Sequence, residues 1–168
     1  LALAKSNQPV TLSDVTKLLK QQNALLLQYA LGEEETHVLW ITGENVQITP
    51  LNITDEQADV LDVEPGPLTA DKLNHLLAND ATNGVLQLLR KSNQPEALKR
   101  SQQKLHVLWQ LLVPDAIGKE ILQGDATRLI VVPDGALASL PLETLIVESG
   151  DKPKYLLDVD VPIVYAPS

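Results

Sequence analysis

His37, His75 and His106 are the residues of this chain best suited to acid–base or metal chemistry. They stand far apart, with no His-x-His or His-x-x-x-His pair. A zinc site needs ligands converging at about 2 Å, and short spacings are its usual sign in sequence. His37 follows Glu33-Glu34-Glu35, so a site of carboxylates and imidazole is conceivable; a solvated hairpin tip beside a surface histidine is the plainer reading and is preferred. His75 and His106 lie beside leucines in helical patterns and read as boundary residues. There is no cysteine, hence no disulfide, no thiolate metal site and no thiol nucleophile. Gly-x-Ser-x-Gly, the P-loop and Gly-x-Gly-x-x-Gly are all missing, and a Ser–His–Asp triad would leave no local mark. Asn52-Ile53-Thr54 matches a glycosylation acceptor but carries no weight without a secretion signal. No residue is therefore assigned to catalysis, cofactor binding or metal ligation.

The most informative local feature is Val131-Val132-Pro133-Asp134-Gly135. In open α/β sheets, ligands bind beyond the carboxyl ends of strands, and Asp134 stands at such an end. It could hold a metal or act as a base. The structural reading is a turn over Pro133, Asp134 and Gly135, with proline fixing φ and glycine supplying positive φ. The turn is preferred, because no second acid lies close in sequence.

The elements that must position these residues are set by the pattern of apolar side chains. Thr11-Leu12-Ser13-Asp14 offers an N-cap with an acid at the third position, and Leu12, Val15, Leu18 and Leu19 recur at helical spacing, predicting a helix over about 12–22. The first ten residues read as frayed. Ala24–Ala30, Thr36–Thr42 and Val46–Leu51 read as three strands with short connections, an antiparallel meander. Thr54-Asp55-Glu56 starts a short helix, 62–67 is a loop, and Thr69 caps a helix carrying Leu73, Leu76 and Leu77. A break is expected over 79–83. Val85, Leu88 and Leu89 mark another helix, ended at Ser92-Asn93-Gln94-Pro95. The longest helix is expected over about 96–112, with Leu98, Leu105, Leu108 and Leu112 as one stripe and a polar opposite face that predicts packing on one side only. Residues 114–122 suggest one more helix. Leu129–Val132 is apolar without alternation, as in a strand buried on both faces. Leu140-Pro141-Leu142-Glu143 is a proline-marked segment and 150–153 a loop. Val159, Val161, Ile163 and Tyr165 alternate, predicting a last strand with those residues facing the core. The order implies an α/β fold, a three-layer-like sandwich on a mixed sheet. It divides into a helix plus β-meander (1–53), a helical segment (54–125) and a strand–turn–strand segment (126–168).

Composition narrows the class. The formal net charge is −9, and the 13 Lys and Arg residues are scattered, which argues against nucleic-acid binding. No apolar run approaches the roughly 20 residues needed to span a bilayer, and the N-terminus has no signal-peptide core; the expectation is a cytoplasmic protein without membrane contact. The chain begins with leucine and contains neither methionine nor phenylalanine, so a piece of a longer polypeptide is expected, with a core of Leu, Val, Ile and Ala.

Several of these segments together are similar to the CHAT family. Leu129–Leu137 followed by Leu140-Pro141-Leu142-Glu143 resembles that family's strand, "PDG-x-L" turn and "LP-F" segment. Tyr155-Leu156-Leu157, then Pro162-Ile163-Val164-Tyr165-Ala166-Pro167-Ser168, resembles its next landmark, a strand ending in "YAPS". Leu26–Glu34 resembles the "L-x-Y-x-LGEE" opening, and Trp40 the "LW-x-I-T" strand after it. The resemblance spans about residues 12–168. Ala138 and Ser139 stand where the family usually has a histidine or aromatic, and Leu142 replaces the common phenylalanine. The resemblance implies a caspase-like half domain of a bacterial cysteine endopeptidase, commonly following TPR repeats and often tied to defence or regulated cell death. The family's catalytic histidine and cysteine lie in motifs beyond the last residue here, so no catalytic residue carries over.

The resemblance further implies a non-catalytic N-terminal part that packs against and regulates a catalytic half of the same parent chain. Its other expected partners are the upstream TPR repeats and the parent's protein substrate, and an unpaired strand edge is expected to allow a homodimer. A reading from another class is a stand-alone interaction or scaffold module of an inactive CHAT-like protein. A third is a small-molecule-binding α/β domain centred on Asp134.

Overall fold

Three threonines start three helices in the computed structural model, which describes residues 11–43, 45–78 and 84–167. Expectations for the first ten residues, for 79–83 and for Ser168 lie outside the described residues. Thr11 caps α1 (Leu12–Gln22): its hydroxyl accepts from the Asp14 N–H at 3.2 Å while Asp14 Oδ2 accepts from the Thr11 N–H at 3.0 Å. These bonds hold the Asp14 carboxyl below its ordinary range, the Thr11 side-chain bond acting most. Thr54 and Gln57 repeat the reciprocal cap after a two-residue strand β4 (Asn52–Ile53), opening α2 (Asp55–Leu61). Thr69 caps α3 (Ala70–Leu77) through the Lys72 N–H. Each cap satisfies amide donors that the first turn leaves open, which is why the signal is readable locally.

The meander forms as expected, with β1 (Ala24–Ala30), β2 (His37–Ile41) and β3 (Val46–Pro50) paired antiparallel, Leu27 opposite Trp40 and Leu39 opposite Ile48. After α3 come α4 (Val85–Arg90), α5 (Pro95–Leu112) and α6 (Asp115–Gln123), then β6 (Arg128–Val132). β6 lies parallel to β1, with Leu27 opposite Val131. The last strand, β9 (Ile163–Tyr165), lies parallel to β6. The sheet is mixed, in the order β3-β2-β1-β6-β9, and the fold is α/β. β3 and β9 are its two edges.

Two small ladders have no local signature. Gly66–Pro67 (β5), within the expected loop 62–67, pairs with β4. A hairpin of β7 (Ile146–Glu148) and β8 (Lys154–Tyr155) spans the loop 150–153. The last strand is shorter than the alternation predicts. Leu156–Asp158 forms a 3₁₀ turn, and Pro162, which has no N–H to donate, stands immediately before β9. Val161 is buried and Ile163 half-buried as that alternation requires, but Tyr165 is 42% exposed.

The sheet's two faces are unequally covered. One packs on the main core, where Leu25, Leu27, Tyr29, Leu129 and Val131 meet Leu105, Leu108 and Leu112 of α5 and Ile117 and Ile121 of α6. The other carries a small cluster of Leu19, Ala24 and Ile41 beneath α1, with Leu26, Leu39 and Ile130 partly buried around it. β6 is thus dry on one face and only half-covered on the other.

α5 corrects the expectation of one-sided packing. Leu98 of the stripe is only half-buried, whereas Ala97, Ser101, Lys104, Val107, Trp109 and Leu111 join Leu105, Leu108 and Leu112 in the interior. Lys104 is 2% exposed; its Nζ donates to the Leu61 carbonyl at 2.8 Å and to Asp62 Oδ2 at 3.0 Å. Among the described residues, no helix is long and apolar enough to cross a membrane.

Candidate functional site

The turn singled out in the sequence stands at the carboxyl end of β6. Beyond Pro133, Asp134 Oδ2 accepts the N–H of Leu31, at the end of the neighbouring β1, at 2.8 Å. Gly135 comes next at φ +49, in the left-handed region, and opens a 3₁₀ turn to Ser139. The Asp134 carboxylate therefore ties β6 to β1 through a backbone donor. Loss of that acceptor strands a partly buried amide, so Asp134→Ala should lower unfolding stability by about 1 kcal/mol in urea denaturation. A gain in stability would instead mark Asp134 as a strained functional carboxylate.

A second clasp joins the proline-marked segment to the last strand. The Tyr165 hydroxyl accepts the Leu142 N–H at 2.8 Å and donates to Glu143 Oε2 at 2.6 Å. Partial burial, then the bond to Glu143, pushes this phenol well above its ordinary range, so it stays protonated and donating. Ala166 N–H donates to the Val131 carbonyl, extending the pairing beyond β9. The Tyr29 hydroxyl, fully buried, donates to the Leu112 carbonyl at 2.9 Å and fastens β1 to the end of α5.

The histidines stay apart, on β2, α3 and α5. His37 Nε2 is 3.5 Å from Glu35 Oε1, both side chains well exposed. His75 is exposed. His106 Nδ1 lies 2.9 Å from the Ile146 carbonyl, which can only accept, so this nitrogen carries the proton. Its Nε2 is 3.2 Å from Gln110 Nε2 and accepts from it. His106 lines a cleft of about 450 Å³ between α5 and the β7–β8 turn, with Lys99, Gln102 and Asp151. Among the described residues, no group of three or more His, Asp or Glu side chains is placed to hold a metal. The geometry at the end of β6 fastens neighbouring segments; among the described residues it pairs no nucleophile with a base.

Sequence reasoning missed Lys104 and the Tyr165–Glu143 clasp. A signal for Lys104 existed: Ala97, Ser101, Lys104 and Leu108 form one helical row, and its small residues mark where another element comes close. For the clasp no local signal exists, since its partners are 22 residues apart.

Comparison with curated proteins and with solved structures finds no match. The family model of the CHAT domain matches residues 102–168. This stretch runs from within α5 through both clasps to Ser168, while the Leu26–Glu34 opening and Trp40 lie upstream of it. From Gln102 to Ser168, the resemblance read from the sequence holds, and this chain is similar to CHAT domains.

Proposed function

We propose that this chain is the non-catalytic N-terminal part of a caspase-like CHAT endopeptidase, and that it packs against a catalytic half of the same parent and carries signals to it from upstream repeats. The observation that carries the reading is the family match over 102–168 in a sequence without a cysteine. A cysteine peptidase attacks with a thiolate, so the nucleophile of such a parent must lie elsewhere in the polypeptide. The open edge at β9 supports the same reading. Among the described residues β9 pairs with β6 alone, and Val164 and Tyr165 on it are 45% and 42% exposed. Further strands added there would continue the parallel sheet and cover these side chains.

The purified chain should cleave no member of a peptide library, with or without iodoacetamide, and thiol-sensitive cleavage appearing in pure material overturns the assignment. The parent sequence beyond Ser168 supplies the positive arm. A His-Gly strand end and an Ala-Cys strand end there support the peptidase, whereas a parent lacking both favours a scaffold module.

A further inference from the structure

Among the described residues nothing pairs with the outer edge of β3, and its guard is a single proline, Pro50, at one end. Its five residues, Val-Gln-Ile-Thr-Pro, carry no charge, and Ile48 is 67% exposed. Edges left like this recruit other strands. The ladder with β2 fixes which groups are on offer. Thr42 N–H donates to Asn45 O, and Leu51 N–H to Thr36 O, one bond at each end of the ladder. Residues 45, 47, 49 and 51 thus turn their backbone groups toward β2. Val46 and Ile48 turn their N–H and C=O groups outward, and Pro50 offers only a carbonyl. Val46 and Ile48 lie opposite Ile41 and Leu39, so their side chains share the face on which α1 lies.

α1 completes a groove along this edge. Leu12, Ser13, Thr16, Lys17 and Lys20 line it together with Val46. Helical spacing puts Thr16, Lys17 and Lys20 on the flank toward β3 and Asp14 and Leu18 on the opposite one. In a chain of net charge −9 this groove holds two exposed lysines, and no acid lines it among the described residues. Leu12, at 53% exposure, and Val46, at 37%, supply apolar walls.

We propose that α1 and the outer edge of β3 form a peptide-binding groove for an extended segment of a partner protein that carries acidic side chains at the alternate positions facing α1. The segment pairs with the outward groups of Val46 and Ile48. Side chains on its α1 face meet Leu12, Lys17 and Lys20, so acids there are matched and bases repelled. Pro50 limits the ladder to about four residues. A second copy of the chain is the poorer occupant, because two-fold pairing of β3 with itself would bring each Lys17 and Lys20 toward their symmetry mates. The groove is on the opposite edge of the sheet from β9 and does not depend on a peptidase parent.

The test is a positional-scanning library of capped octapeptides screened on the full chain. The expected consensus places Glu or Asp at alternate positions. That peptide should shift the amide resonances of Val46 and Ile48 and those of α1, and Lys17→Glu/Lys20→Glu should weaken it by about tenfold and favour the charge-reversed peptide. Ile48→Pro, which removes one outward N–H, should abolish binding while resonances of the distant α5 stay in place. No enrichment, a basic consensus, or equal affinity for the double variant overturns the proposal. So does a concentration-dependent dimer that Ile48→Lys dissolves, because the edge then belongs to a second copy.

Discussion

Lys104→Ala should destabilise the protein by about 3–5 kcal/mol. The side chain is nearly inaccessible, and its ammonium reaches across to the end of α2, donating to Leu61 O and Asp62 Oδ2. Truncation removes three buried methylenes, each contributing about 0.8 kcal/mol, and leaves the Leu61 carbonyl without that donor, at about 1–3 kcal/mol. Lys104→Met separates the two terms. It keeps the stem and should cost only the second amount. The Arg100–Asp62 pair at 3.4 Å is about half-exposed at both ends and contributes little by comparison, so Arg100→Ala should fall within about 1 kcal/mol of the wild type. Urea unfolding of the three variants checks the ranking. If Lys104→Met matches Lys104→Ala, the polar bonds dominate; if it matches the wild type, the ammonium is dispensable and its bonds to Leu61 and Asp62 contribute nothing net.

Gly135→Val should cost about 2–3 kcal/mol. At φ +49 a β-branched residue is strained whatever surrounds it. Here a Cβ would also stand 3.1 Å from Leu31 Cδ2, so the side chain beside the Asp134–Leu31 bond must give way. Gly135→Asn is the control, since asparagine tolerates the left-handed region, and it should recover about half of the loss. A valine variant as stable as the wild type would mean that the turn adopts another backbone conformation.

Much of the architecture was legible because its causes are local. Thr11, Thr54 and Thr69 each satisfy amides within three residues, the run at β1 is apolar, and the run at β2 is β-branched and aromatic, which is enough to mark both as strands. What escaped depends on partners far along the chain. Lys104 is a polar residue on a helix, and its partners at the end of α2 are about 40 residues away in sequence. The alternation from Val159 to Tyr165 is real, yet Pro162 and the 3₁₀ turn at Leu156–Asp158 reduce its strand to three residues. β4–β5 and β7–β8 are too short to show a period. At the candidate site, the turn residues stood out in sequence, while the carboxylate's partner, the Leu31 N–H, lies 103 residues away.

That distance has a kinetic side. The centre of the sheet is a parallel pair, β1 and β6, whose entry is stitched by Thr127 N–H to Asn23 O, groups 104 residues apart. The meander of β1, β2 and β3 is contiguous and can close early, but its β6 side stays open until α2 to α6 have been made. Loop-closure entropy for that contact must be met before the strand pairing repays it, which places this chain among slow folders. During synthesis, β1 is an apolar edge for as long as α2 to α6 take to emerge, and this interval, more than any weakness of the finished fold, is when the chain is most open to aggregation.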